Sequence, residues 1–267
     1  MNELGARVVA ALARVRERVD ASGDELARSY LRGLEDEAAA DAFAASLRSA
    51  PGGALADPFD PAPAGPGPAS TARALESLAG LGRMDAPVVE GAAAWLMSGQ
   101  GADGSFRDPS LAGEDERLEL TATLCGLLAR TPFVRQRTLV AAAACLEAHW
   151  SVERAQAGRL ATLAGYLHAL SGFPAEFADE VFQWCGRELE RGYRTGAFDA
   201  PSVARVFVLC ESSALPGARI AREELVEGVL AAQAPDGSFA ADPTLRGTLQ
   251  TATALVRLVP AHERRGP

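Results

Sequence analysis

Apolar and polar positions along this chain recur with the period of α-helices. From residue 36 to residue 258, apolar segments of about four turns, rich in Ala, Leu and Val, follow one another with short breaks between them. No run of β-branched and aromatic residues with a period of two competes with these segments. The pattern therefore predicts an all-α fold.

The predicted helices fall into two classes that alternate along the chain. Charged residues such as Glu180 and Arg187 mark one face of the outer class, which we place at 36–49, 87–99, 134–149, 175–192 and 220–233. The inner class is nearly apolar on all sides and is placed at 70–81, 117–130, 157–171, 200–214 and 246–258. Because a helix that is apolar all round must be covered all round, we expect outer helices to surround inner ones. An α/α toroid of about five helix pairs satisfies this demand, and an open solenoid is the alternative.

A seven-residue motif, Gln-x-x-Asp-Gly-Ser-Phe, occurs twice, at 100–106 and at 233–239. Each copy follows an alanine-rich helix. Aromatic residues recur at intervals of 47, 44, 48 and 41 residues, at Phe59, Phe106, Trp150, Phe198 and Phe239. This period is typical of repeats built from two helices.

The motif has the composition of a helix-ending turn. Asp-Gly predicts a tight turn with positive φ at Gly104 and Gly237. The glutamine is suited to bond unpaired carbonyl groups at the end of the outer helix, and the phenylalanine to fill the joint between repeats. We therefore interpret Asp103 and Asp236 as structural residues.

Length and composition allow one large globular domain or two small ones, and we expect a single domain, residues 1–267. Residues 1–35 are expected to form N-terminal helices, 36–258 the helix-pair repeats and 259–267 a tail. The 267 residues are 48% hydrophobic, and the net charge is −9. All 26 basic residues are arginines. With neither a basic excess nor a basic run, the sequence does not indicate a nucleic-acid partner.

The N-terminus and the cysteines bear on the compartment. The first twenty residues lack the apolar core of a signal peptide, and no stretch of 18 apolar residues is present, so we expect a cytoplasmic protein without a transmembrane segment. Four cysteines stand singly in helical segments, which favours reduced core thiols: Cys125, Cys145, Cys185 and Cys210. No pattern of ligands predicts a metal or another cofactor, and the oligomeric state is left open.

The repeated turn resembles the Gln-rich aromatic repeat of squalene-hopene cyclases and other class II terpene cyclases, and the related repeats of protein prenyltransferase β subunits. The resemblance covers about 50–258, with Phe106 and Phe239 where those families carry tryptophan. It implies an α/α toroid with an axial cavity, here a single barrel. It further implies an isomerase or lyase that protonates an isoprenoid or polyene.

The same resemblance implies a catalytic acid. In those cyclases an acidic motif begins an inner helix, and the matching segment here is 117–122, Arg-Leu-Glu-Leu-Thr-Ala. Glu119 stands at the central acid, without the aspartates that flank it in those families. At the position where prenyltransferases place a zinc ligand the chain has Gln250, so no zinc site is carried over.

Other polar residues are weighed as further candidates. His168, in an apolar inner helix, is either a second acid or a core histidine. Asp57 and Asp60 lie in a proline-rich loop, 56–70, that is either a lid or a flexible connector. Arginines near the starts of inner helices are either anion ligands or solvated charges. The predicted substrate-binding set is Tyr166, Phe207, Arg117, Arg159, Arg205, Thr121 and Gln250.

Two functions from different classes remain. The first is a terpene-cyclase-like enzyme that cyclises or isomerises a polyene in an apolar cavity. The second is a toroid without catalytic activity that binds an apolar ligand or a protein partner.

Overall fold

The computed structural model of this chain describes residues 3–60, 65–157, 160–173, 177–212 and 214–264. Within these ranges the regular structure is helical, with isolated β-bridges and no strand. The all-α prediction is therefore confirmed. The helices are α1 (Glu3–Ser22), α2 (Glu25–Gly33), α3 (Glu37–Ser46), α4 (Pro68–Leu81), α5 (Pro87–Gly99), α6 (Glu114–Ala129), α7 (Gln136–Ala148), α8 (Val152–Gln156), α9 (Leu160–Gly172), α10 (Ala178–Arg194), α11 (Ala200–Leu209), α12 (Arg222–Ala231), α13 (Leu245–Leu258) and α14 (Ala261–Arg264).

All ten predicted helices are present. The outer ones are α3, α5, α7, α10 and α12, and the inner ones are α4, α6, α9, α11 and α13. Among the inner helices, α4 contacts α6, α6 contacts α9, α9 contacts α11, α11 contacts α13, and α13 contacts α4. Their apolar side chains form the buried core together with buried side chains of the other helices.

The N-terminal helices belong to the same body as the repeats. α2 contacts α3, α4 and α13, and α1 contacts α12 and α13. Val8, Val15 and Tyr30 of these two helices are buried in the common core. Residues 1–35 therefore supply a further pair of helices, one beside the outer helix α12 and one beside the inner helices α4 and α13.

Two helix boundaries differ from the predicted ones for local reasons. α6 begins three residues before 117, because Glu116 accepts a hydrogen bond from the Gly113 N–H (3.1 Å) and the acidic first turn complements the helix dipole. Glu119 thus lies in the second turn rather than the first. α11 ends at Leu209, before 214, and Glu211 beyond it takes a left-handed φ of 49°.

The first copy of the repeated motif is built as the sequence predicts, with one correction. Gly104 has a φ of 81°, and Asp103 Oδ1 accepts hydrogen bonds from the N–H and hydroxyl of Ser105 (3.1 and 2.8 Å). Gln100 Nε2 donates to Gly104 O (2.9 Å) and to Thr138 O (3.0 Å). The second acceptor belongs to the following outer helix, α7, and not to the helix that the motif terminates.

The second copy makes the same contacts with the first helix of the chain. Gly237 has a φ of 83°, and Gln233 Nε2 donates to Ala11 O of α1 (3.0 Å). A Cβ on Gly104 would overlap Ala141 O of α7, and a Cβ on Gly237 would overlap Arg14 O of α1. Each turn is therefore pressed against the backbone of another helix, α7 for the first copy and α1 for the second.

We predict that Gly237→Ala destabilises the fold more than Gly23→Ala. Both glycines have positive φ, which costs an L-residue about 1–2 kcal/mol. Nothing lies within 4 Å of a Cβ on Gly23, whereas a Cβ on Gly237 meets the α1 backbone. The overlap should add about 1–3 kcal/mol. Urea unfolding of the two variants measures the difference, and equal losses would contradict the docking of this turn on α1.

Candidate functional site

A cavity of about 290 Å³ lies between the inner helices. Its wall is mainly apolar and includes Ala79 of α4, Leu160 and Ala164 of α9, and Val206 and Leu209 of α11. The polar side chains of its lining come from α2, α4, the C-cap of α6, α11 and α13: Tyr30, Glu76, Arg130, Ser202, Arg205, Gln250 and Thr253. Apolar walls with a few convergent polar groups are typical of small-molecule sites, and the volume is near the lower limit of their usual range of about 300–1,000 Å³.

Glu76 is the carboxylic acid of this cavity. It projects from the middle of α4, and the part of its side chain that protein does not cover lines the cavity. Burial raises the pKa of Glu76 above its ordinary value, and the charges of Arg246, Arg205 and Arg73 act in the opposite direction without reversing the shift. Desolvation penalises the ionised form. The acid therefore keeps its proton to a higher pH than a solvated glutamate.

Two residues of the predicted substrate-binding set, Arg205 and Gln250, stand beside Glu76 in the cavity wall. Arg205 Nη1 donates to Gln250 Oε1 (2.9 Å), and Gln250 Nε2 donates to Glu76 Oε2 (3.4 Å). Arg205 Nη2 also donates to Ser202 Oγ (3.1 Å). These bonds fix the orientation of the amide between a guanidinium and a carboxyl group.

Asp57 lies near this cluster but not in the cavity lining. Its side chain is 1% exposed and forms ion pairs with Arg246 and with Arg73 (3.4 Å). Its Oδ1 accepts the Phe59 N–H (3.0 Å), which holds the turn. Asp57 is thus not an acid at the tip of a lid, as the lid interpretation requires: it anchors two arginines, and its charge contributes to the raised pKa of Glu76. Asp60 is partly buried in the same segment, and 61–64 lie outside the described residues.

Glu119 lies away from the central cavity. It borders a recess of about 10 Å³, the size of one water molecule, and Thr162 Oγ1 donates a hydrogen bond to its Oε1 (3.1 Å). Asp115, Arg154 and Thr162 line both this recess and a polar cleft of about 560 Å³ beside the start of α6. Arg154 and Tyr166 line the same recess. Among the described residues of α6 and its C-cap, Arg130 is the one that lines the central cavity.

His168 and Tyr166 are buried on α9 outside the central cavity. The His168 ring packs against Gly126 of α6, and neither ring nitrogen has a hydrogen-bond partner among the described residues. Burial lowers the pKa of His168 to about 3, and the charge of Arg130 adds to this effect. Tyr166 donates its hydroxyl to Leu146 O (3.1 Å) and packs edge-on against Trp150. The position of His168 fits its core interpretation, while Tyr166, predicted to bind substrate, lines only the recess beside Glu119.

The remaining predicted residues have structural contacts. Thr121 Oγ1 accepts the Phe106 N–H (3.0 Å) and so ties the first repeated turn to α6. Arg117 pairs with Asp103 of that turn (3.4 Å). Arg159 lies outside the described residues.

A second cavity, of about 410 Å³, adjoins the first where the inner helices end. Ala79, Arg130 and Val208 line both cavities. Phe207, from the predicted substrate-binding set, is buried in the wall of the second cavity.

Sequence reasoning missed Glu76, Tyr30 and Arg130. Glu76 is the one carboxylate in the apolar helix α4. A lone carboxylate in an otherwise apolar inner helix could have marked Glu76 as a candidate from the sequence. Tyr30 lies in the N-terminal segment to which no role was given. Its hydroxyl bonds Thr253 Oγ1 (2.8 Å), and burial raises the pKa of Tyr30 to about 12.

Metal and membrane features are absent from the part of the chain that the structure describes. It contains no group of three or more His, Cys, Asp or Glu side chains able to hold a metal ion. The four cysteines are buried and free. None of the described helices is both long and apolar enough to cross a membrane.

Comparison with protein-family models, curated proteins and solved structures gives no match for this chain. The assignment of a function therefore depends on the geometry of the site.

We predict that His168 makes the fold sensitive to mild acid. Its pKa is near 3 in the folded state and about 6.5 when the chain unfolds, so between these values the unfolded state binds more protons. Stability should fall as the pH drops below about 6.5, by about 1.4 kcal/mol per pH unit. His168→Leu should lose this component, so that from pH 7 to pH 5 it loses about 2 kcal/mol less stability than the original protein. Urea unfolding at both pH values tests this, since carboxylates common to both proteins cancel, and parallel pH profiles would contradict it.

Proposed function

We propose that this chain is a single α/α barrel that binds an isoprenoid or another polyene in its central cavity and transfers a proton to it from Glu76. The barrel is supported by the cycle of contacts through α4, α6, α9, α11 and α13. It is supported also by the docking of the Gln233 turn on α1, which joins the last repeat to the first helix. In this proposal α1 and α2 are a sixth helix pair, in addition to the five that the sequence pattern indicates.

The observation that carries the proposal is the position of Glu76. An acid in an apolar cavity must be protonated before the substrate binds, and burial raises the pKa of Glu76 as this requires. Glu119 borders a small recess that adjoins a polar cleft lined by Glu114, Asp115, Glu116 and Arg154, and it does not line the apolar central cavity. Glu76 therefore replaces it as the proposed acid.

The proposed step is protonation of a carbon–carbon double bond. The O–H bond of Glu76 breaks and a C–H bond forms at one alkene carbon, while the π electrons leave a carbocation at the other. Loss of a proton from an adjacent carbon, either directly or after ring closure, restores the double bond and returns the proton to the carboxylate. Arg205 and Arg246 favour the carboxylate while the proton is away from it, since their charges lower the pKa of Glu76.

A second candidate function, binding of an apolar ligand without catalysis, is favoured by one feature of the lining. Tyr30 is the only aromatic residue among the described residues that line the central cavity. Aromatic faces stabilise cations by about 0.5–2 kcal/mol each. A cavity with one such face supports few cationic intermediates, and a binding protein needs none.

We predict that Glu76→Gln abolishes turnover and retains binding. The purified protein is incubated with farnesol and with squalene, and products are analysed by gas chromatography and mass spectrometry. If Glu76 is the acid, the amide should lower turnover by about 10²–10⁴-fold or more, because it has no acidic proton and keeps the size of the side chain. The matched variant is Glu119→Gln, which makes the same chemical change beside the separate recess and should retain turnover.

The outcomes separate the two candidate functions. Undiminished turnover in Glu76→Gln, or loss confined to Glu119→Gln, would remove Glu76 from the mechanism. Tight binding of either probe to the original protein without any product would favour the binding function.

A further inference from the structure

We infer that the second cavity binds the anionic head group of an amphiphilic ligand, a carboxylate or phosphate held by Arg257 and Arg130, while the apolar chain of the ligand lies in the central cavity. This inference rests on the proposed function, since it adds the chemical class of the ligand to the cavity that the function uses. It differs from the arginine prediction made from sequence, which placed an anion at the starts of the inner helices. Here the anion lies at their ends.

The two cavities are placed to hold one molecule. They meet at Ala79, Arg130 and Val208, which line both. The central cavity is lined mainly by apolar residues of α4, α9 and α11. The second cavity is lined by three arginines, and Glu211 is the only acid among its described lining residues. Polarity therefore rises from one cavity to the next, as it does along an amphiphile.

The three arginines differ in how far they are neutralised. Arg222 is paired with Glu223 (2.8 Å) and Glu263 (2.9 Å) and is not available. Arg257, by contrast, forms no ion pair with any carboxylate of the described residues, and its side chain donates to Gly80 O (2.8 Å). Arg257, an exposed residue, thus brings to the cavity a positive charge that no carboxylate of the described residues pairs with.

Arg130 contributes a second guanidinium that an anion can reach. Its partner is Glu211, whose side chain is 68% exposed. The Arg130 side chain itself is only 12% exposed and lines both cavities, so an anion in the second cavity competes with Glu211 for its guanidinium. A guanidinium fork matches the oxygens of carboxylate and phosphate. Arg130 and Arg257 together therefore suit a head group with at least two anionic oxygens.

Capping of a helix end uses only part of the hydrogen-bonding capacity of Arg257. Arg257 does cap α4, since Gly80 is in the last turn of that helix. This bond uses one of the five N–H donors of the guanidinium. The remaining donors and the full charge are left for a ligand.

The opposite end of the central cavity is less suited to an anion. Arg73 and Arg246 both pair with buried Asp57, and Arg205 is bonded to Gln250 and Ser202. The carboxyl group of Glu76 lies there as well. A head group at Arg257 leaves that end to the apolar chain, next to the proposed acid.

The test measures binding of three probes with the same twelve-carbon chain, dodecanoate, dodecyl phosphate and dodecanol, by calorimetry below the concentration at which they form micelles. The original protein should bind the two anions at least ten times more tightly than the alcohol. Arg257→Gln should remove that preference and leave the affinity for dodecanol unchanged, while Arg257→Lys should retain part of it. The two anionic arms distinguish a carboxylate ligand from a phosphate ligand.

Two further variants guard against a loss caused by misfolding. Glu211→Gln removes the competitor for Arg130 and should increase the affinity for both anions, a gain that an unfolded protein does not show. Arg137→Gln makes the same change of charge on an exposed residue of α7 that lines neither cavity, and should leave all three affinities unchanged.

A third variant, Ala164→Phe, tests the placement of the apolar chain. It fills the central cavity and should weaken the binding of all three probes.

The head-group inference and the proposed function fail in different ways. Equal binding of the three probes, unchanged in Arg257→Gln and weakened in Ala164→Phe, overturns the anionic head group and leaves the cavity as a ligand site. Absence of binding for all three probes overturns both. Anion binding that Ala164→Phe does not affect overturns the placement of the chain.

Discussion

The architecture depends on the approach of glycine turns to the backbone of the neighbouring outer helix. Gly53, Gly104 and Gly237 all have positive φ, and at each a Cβ would overlap a carbonyl group, of Gly91, Ala141 and Arg14 respectively. Only glycine fits such a turn, so the distance between one helix pair and the next is fixed by backbone and not by adaptable side chains. Because the last of these contacts is made with α1, the two ends of the chain hold each other. The apolar inner helices are covered as a consequence.

Close packing between inner helices then decides which polar residues face a ligand. α6 and α9 meet through small residues, Gly126, Gly165 and Gly172, with so little room that a Cβ on Gly126 would strike the His168 ring. This contact buries His168 and keeps Glu119 outside the central cavity, beside a small recess next to the polar cleft. The central cavity lies among α4, α9, α11 and α13, which all contribute to its lining. The acid that meets this space is the one on α4.

This difference explains how far the sequence could be interpreted. A turn is a local structure, so Asp-Gly at 103–104 and at 236–237 was enough to predict positive φ, and the ten repeat helices follow from the period of apolar residues. An inner helix that is apolar all round has no distinct apolar face, so its sequence does not show which side faces the cavity. Glu76 and Glu119 are equivalent by that criterion, and only the spacing of α6 from α9 separates them. The role of α1 was equally hidden, because the contact of Arg14 with Gly237 joins residues far apart in sequence and depends on main-chain atoms.

The charges around Glu76 add a constraint that packing alone does not supply. Burial favours the neutral acid, yet an acid that never ionises transfers no proton, and the nearby arginines reduce the penalty on its carboxylate. Without Asp57, Arg73 and Arg246 would act on Glu76 undiminished and favour its ionised form; paired with Asp57, they are partly neutralised. In the proposed reaction, Asp57 therefore limits how far Arg73 and Arg246 lower the pKa of Glu76 against the effect of burial. Asp57 itself acts through this ion-pair network from a buried position.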